Sequence, residues 1–353
     1  MNGLDAYPIK KLEYEQMESI GKSLFNGALG KMKAKEYAKF KIALFSAVLF
    51  PFIFCSQARV YGFTVYYLYK LANFSGGIPY GFGTQLALDQ NTGEVYVLDP
   101  SRGGVNIFNT HGMETYKFGD DTNLGTITSL AVDKKGNMFI LSYVGGYYSL
   151  DFCNYRGELE HTIKLSGLPW SSAQFKPNKV ILVGGRLYLV DMVDLYVAQI
   201  DKNGACLKTW DLNKICGWDK MKGFAPGSVS AFGFAIDREG NMYFTVPTSF
   251  RAYKVTPDGK VYGFGHGGDG PGAFGVVSGI AVDDKGYIYV ADRLRCVILI
   301  FRKNLQFLRE FGNRSYAAGG LIVPTDLVVA RDGTLYVSEG GNSGVDVFRM
   351  GYD

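Results

Sequence analysis

The chain is 353 residues long and carries 37 Lys and Arg against 33 Asp and Glu, a formal charge of +4. Eight of those Lys and five of those acids lie in residues 1–58, so residues 59–353 are nearly neutral, with 29 basic and 28 acidic side chains. That balance excludes the basic footprint that a nucleic-acid partner requires.

The first predicted element is a leader. Ile42-Ala-Leu-Phe-Ser-Ala-Val-Leu-Phe-Pro-Phe-Ile-Phe-Cys55 is fourteen residues without a charge, preceded by Lys33, Lys35, Lys39 and Lys41. Ser56-Gln-Ala58 then puts small residues just before Arg59. A basic stretch, a short apolar run and a small-residue exit predict a secretory signal within residues 1–58. The run is shorter than the ~20 apolar residues of a membrane span, and Pro51 sits inside it. A retained anchor is the second reading. Met32-Lys-Ala-Lys would be an ordinary start for such a signal; otherwise residues 1–31 are a cytoplasmic tail ahead of an anchor. Residues 59–353 are therefore expected outside the cytoplasm, in the periplasm or secreted, or tethered to the inner membrane through 42–58.

Val65-Tyr-Tyr-Leu-Tyr-Lys-Leu71 is the next element, and a glycine-rich stretch from Ser75 to Gly83 follows it. From Thr84 onward one pattern recurs. Leu86-Ala-Leu-Asp89 leads through Gly93 to Val95-Tyr-Val-Leu-Asp99, and Leu130-Ala-Val-Asp133 leads through Gly136 to Met138-Phe-Ile140. Phe234-Ala-Ile-Asp237, Ile280-Ala-Val-Asp283 and Leu327-Val-Val-Ala330 open three further copies, and Val180-Ile-Leu-Val183 opens a degenerate one. Each reads as strand, tight turn, strand: Asp accepts hydrogen bonds from the turn's own backbone and Gly supplies positive φ. A third and a fourth apolar run complete each unit, as in Val297-Ile-Leu-Ile-Phe301 and Phe307-Leu-Arg-Glu-Phe311. Four antiparallel strands repeated at this spacing predict an all-β fold, a β-propeller of six blades. The last unit shows only three strands. Residues 65–71 occupy a fourth-strand register, so they are expected to complete that blade and clasp the ring shut.

These units resemble NHL repeats, whose pattern is apolar-Ala-apolar-Asp, Gly, apolar-Tyr-Val-Ala-Asp and a closing Phe-Gly. Ile280-Ala-Val-Asp283 through Phe311-Gly312 follows it almost throughout. The usual Asn-x-Arg after the second Asp is absent: Asp99 is followed by Pro-Ser-Arg102 and Asp292 by Arg-Leu-Arg295.

Aligning the units brings Gln85, Ser129, Lys179, Gly233, Gly279 and Asp326 to one inner-strand position. Thr84, Thr128, Asn178, Phe232, Ser278 and Thr325 come to its neighbour. The plain reading is a channel of hydroxyls satisfied by water. The functional reading is a ligand pocket organised by Lys179 and Asp326, with Gln85, Ser129 and Asn178 as further contacts. The resemblance brings two enzymatic patterns to weigh, propeller lyases with three-His zinc and lactonases with channel calcium. His111, His161 and His266 fall outside the inner strands, which argues against the first. Asn178 and Asp326 supply too few oxygens for the second. Asp99, Asp191, Asp292 and Glu339 recur after the second strand and read as structural. Cys206 and Cys216, ten apart, could pair in an oxidising compartment, while the plainer reading of Cys153, Cys206, Cys216 and Cys296 is four buried or idle thiols. No catalytic residue, metal or cofactor is therefore expected.

The sequence thus predicts a non-catalytic binding or scaffold module with a protein partner in the cell envelope. The insert 213–230, with Trp218 and Phe224, is the candidate contact surface. A channel-site, metal-dependent lyase or lactonase is the alternative.

Overall fold

The computed structural model describes residues 63–71, 84–99, 104–119, 124–223, 225, 227–340 and 344–352. The leader, residues 72–83, Arg102, Phe224 and Pro226 lie outside them. Among the described residues no helix is long and apolar enough to cross a membrane.

Six sheets of four antiparallel strands form the blades of a propeller. Blades 1 to 5 span 85–118, 126–162, 179–211, 234–264 and 277–311, each in chain order from inner to outer strand. Blade 6 combines Pro324–Val329, Thr334–Glu339 and Gly344–Tyr352 with an outer strand, Phe63–Leu71, from the other end of the chain. The predicted clasp is therefore present. It is two residues longer than the sequence indicated, and pairs from Phe63 with Tyr352 to Leu71 with Val345.

The turn chemistry follows the repeat. Asp133 Oδ1 accepts the Lys135 and Asn137 N–H at 2.7 and 3.0 Å, and Asp283 Oδ1 accepts those of Lys285 and Tyr287 at 3.0 and 2.8 Å. Gly136 and Gly286 take φ of +82° and +86°, a conformation that a side chain disfavours.

The core is divided among the six seams between neighbouring blades. Each second strand sends one ring into the seam with the next blade: Tyr96, Phe139, Tyr188, Tyr243, Tyr289 and Tyr336, all at most 2% exposed. Full burial of a side chain of this size contributes roughly 1.5–3 kcal/mol. One aromatic per unit at one register thus supplies every seam.

Strand direction gives the disc two distinct faces. The inner strand's first turn and the turn between third and outer strands gather on one, here the turn face. The connections between blades and the second-to-third-strand hairpins gather on the other, the connection face.

Candidate functional site

Of the predicted rim residues, Ser129, Asn178, Lys179 and Asp326 each make a specific contact in the structure. Lys179 Nζ lies 3.6 Å from Asp326 Oδ2, with side chains 14% and 13% exposed. Blades 3 and 6 are opposite members of a six-blade ring, so this ion pair crosses the channel. Asp326 is held in place by the Leu86 N–H of blade 1, which donates to Oδ2 at 3.0 Å, and by the Leu327 N–H, which donates to Oδ1 at 3.0 Å.

Ser129 Oγ accepts the Val180 N–H at 3.1 Å and so ties blade 2 to blade 3. Asn178 Oδ1 accepts the Met192 N–H at 3.1 Å, which fixes the hairpin of its own blade. Gln85 is half-buried and makes no side-chain hydrogen bond among the described residues. Gly233 and Gly279 mark the closest approach of neighbouring blades. A Cβ on Gly233 would meet Ser278 O at 2.6 Å, and one on Gly279 would meet Thr325 O at 2.7 Å.

The expected water-satisfied hydroxyls are instead satisfied by backbone. The inner strands of blades 2, 5 and 6 shift register at Ile127/Ser129, Val277/Ile280 and Pro324/Leu327. At those shifts Thr128 donates to Leu141 O at 3.0 Å and Thr325 to Ser338 O at 3.3 Å, while Ser278, 3.2 Å from Ala291 O, lies closer to Pro324 O of blade 6 at 2.7 Å. The hydroxyls replace ladder bonds that each bulge removes. Second-strand hydroxyls, which the alignment left unnoticed, join the blades: Thr245 Oγ1 donates to Ser278 O at 2.5 Å and Ser338 Oγ to Thr84 O at 3.0 Å.

Beyond this constriction the channel widens into a cavity of about 1100 Å³ that opens on the turn face. Its wall includes Ala87, Ala131, Ile181, Ala235, Ala281 and Val328, two residues further along each inner strand.

The recurring acids after the second strand act structurally. Asp292 Oδ1 accepts the Val276, Leu294 and Arg295 N–H at 3.0–3.1 Å while Oδ2 accepts that of Gly275 at 2.5 Å. Asp191 accepts the Lys176, Val193 and Asp194 N–H in the same manner. Its burial raises its pKa above the ordinary value, partly offset by those hydrogen bonds. The side chain of Asp99 lies outside the described residues.

His111 occupies a turn, His161 an outer strand and His266 an inter-blade connection, all exposed. No three His, Cys, Asp or Glu among the described residues are grouped to hold a metal. Cys206 and Cys216 are free thiols, as in the plainer reading, and the alternative pairing does not fit the geometry. Cys206 begins the outer strand Cys206–Asp211 and Cys216 follows its far end. Six residues at ~3.3 Å each separate them well beyond the reach of a disulfide. Burial pushes the Cys216 thiol up to about 12.

In the insert, Asp211 caps a short helix, Leu212–Ile215, by accepting the Lys214 N–H at 3.2 Å. Trp218 is half-buried against Tyr253 and Phe244, with ring centroids 5.1 and 6.3 Å away. Its indole is thus engaged in the seam between blades 3 and 4. Met221, 59% exposed, is the outward apolar side chain of this segment.

No protein family matches the chain, and no curated protein resembles it in sequence. Solved structures share its fold. A protein of unknown function from Bacteroides thetaiotaomicron has a TM-score of 0.60 at 13% identity, over 82% of this chain and 77% of its own. A putative gluconolactonase gives 0.54 at 14% identity, over 82% and 93%. A streptogramin B lyase gives 0.51 at 10% identity, over 82% and 98%. At these identities the likeness shows the fold: the chain is a six-bladed β-propeller.

Proposed function

We propose that this chain is an NHL-type propeller serving as a non-catalytic binding platform outside the cytoplasm, with a protein of the cell envelope as its partner. The observation that carries this reading is the distribution of exposed apolar groups. Tyr147, Val193, Met221, Phe250, Leu294 and Tyr316 are 45–83% exposed and come from the hairpins and connections of one face. On the described turn face, Met113 and Tyr155 are the exposed large apolar groups. Apolar tips on separate loops of a rigid disc suit recognition of a broad surface.

The enzymatic reading suggested by the gluconolactonase and lyase neighbours needs reactive groups free to act in the channel. Lys179 and Asp326 hold each other, and Asn178 holds a backbone N–H. The platform reading accounts for these positions without further components.

The test replaces three tips together: Phe250→Asn, Leu294→Ser and Tyr316→Ser. Asn suits position 250, where φ is +52°. Capture of a defined envelope protein by the full chain should fall at least tenfold, with the melting temperature within about 2 °C of the parent. Undiminished capture would remove this face as the docking surface.

A further inference from the structure

The cavity below the ion pair has a composition that neither ring closure nor the connection face explains. Its wall is an apolar belt of half-buried Ala87, Ile181, Ala235 and Val328, with Ala131 and Ala281 at the same register packed into the seams. Larger side chains at those positions would fill the space, as they do in small barrels. Instead about 1100 Å³ is left open to the turn face.

The mouth of this cavity is electrostatically lopsided. On the side of blades 4 to 6 its cations have acidic partners: Arg238 and Arg331 share Asp284 at 2.6 and 3.7 Å, and Lys303 reaches Glu239 at 3.7 Å. On the side of blades 2 and 3, Lys134, Lys135 and Lys202 line the mouth. None of the three has an acidic partner among the described residues. The carboxylates nearest in sequence are engaged by their own turns. Asp133 accepts from Lys135 and Asn137, and Asp201 from Asn203 and Ala205. Three lysines without an ion-pair partner among the described residues therefore stand over a channel with an apolar belt, whose inner end is blocked by the Lys179–Asp326 pair.

We infer that the channel binds an amphiphilic organic acid, its apolar body against the apolar belt and its anionic head at Lys134, Lys135 and Lys202. A purely polar anion would gain the lysines and leave the belt wet. An uncharged apolar molecule would gain the belt and leave the lysines unmatched. Only a ligand with both parts uses both features. The site lies at the opposite end of the channel from the apolar tips, so its occupancy and partner capture are separately measurable.

Decanoate is a suitable probe, titrated below its micellar concentration into the full chain by calorimetry, with decanol and acetate as controls. Saturable one-to-one binding of decanoate is expected, at least tenfold tighter than decanol, with none for acetate. Ala235→Phe, at a half-buried position of the belt, should weaken it at least tenfold by filling the cavity. Lys134→Glu with Lys135→Glu changes exposed turn residues and leaves the core intact; it should weaken decanoate at least tenfold and leave decanol unchanged. Absence of saturable binding would overturn the inference. So would decanoate binding that is indifferent to the lysine changes, which would place the acid on some other apolar surface.

Discussion

At the scale of single residues, the pair Lys179 and Asp326 is the most informative. Both side chains are largely removed from water, and Asp326 already accepts two backbone N–H groups. Replacing Lys179 by Met would leave the carboxylate in the constriction without its cation. A loss of about 2–3 kcal/mol is expected in denaturant unfolding, somewhat below the value for a fully buried pair. The double change Lys179→Met with Asp326→Leu should recover part of that loss, although the Leu86 N–H then lacks its acceptor. Additive effects would show that the two charges do not interact. The height of these residues in the channel was legible in the repeat, because equivalent strand positions have equivalent heights. Their mutual contact was less so, since a linear alignment does not display which blades face each other. The hydroxyls were misread for a related reason. Thr128, Ser278 and Thr325 serve register shifts, and a bulge leaves no mark in a pattern of apolar and polar residues.

At the scale of elements, the closest packing is between inner strands, where glycine is required by space and not by φ. Gly279 has no left-handed conformation, yet its Cβ would lie 2.7 Å from Thr325 O and 2.8 Å from Asp326 Cα. Both are backbone atoms and yield only if blades 5 and 6 separate. Gly279→Ala should therefore cost roughly 1–3 kcal/mol, the range for overpacking a core. Gly270→Ala, where an added Cβ meets nothing within 4 Å, is the matched control and should be neutral. Equal melting temperatures for the two variants would contradict this account. Most strands could be read directly from the sequence, since each carries a four- or five-residue apolar run and a turn signal. The clasp was harder, because Phe63–Leu71 does not alternate cleanly. The structure shows the reason: pairing with the last strand shifts register between Tyr67 and Tyr69, with Leu68 turned outward at 40% exposure. The short helix of the insert was missed altogether. Four residues are too few to display helical periodicity, and only the cap Asp211 signals it.

At the scale of the whole molecule, the ring is held by one blade built from both ends of the described chain, and that blade contains an unusual acid pair. Glu339 takes the place that Asp occupies in other blades, and its side chain meets Asp346 of the neighbouring strand. Both residues are 1% exposed. The clasp strand supplies Lys70, whose Nζ lies 3.3 Å from Asp346 Oδ2, and Tyr67, which also interacts with Asp346. The Ile322 N–H donates to Glu339 Oε1 at 2.8 Å. Burial, then the charge of Asp346, pushes Glu339 up to about 8. Burial also raises Asp346, opposed by Lys70. An acid raised on folding binds its proton more tightly in the folded state. Its contribution is complete below the unfolded value near 4.5 and is lost as pH rises through about 8. Ring stability should thus decline between about pH 5 and pH 8, by at most ~1.4 kcal/mol per pH unit for one proton. Glu339→Gln keeps the shape, removes the titration and should flatten that slope. The readout that isolates closure is amide hydrogen exchange of residues 63–71, corrected at each pH for the intrinsic exchange rate. Protection of the clasp should fall toward pH 8 in the parent and stay level in Glu339→Gln. A parent protein whose clasp protection is constant across this range would show that the acid pair keeps one charge state, with Lys70 alone compensating it.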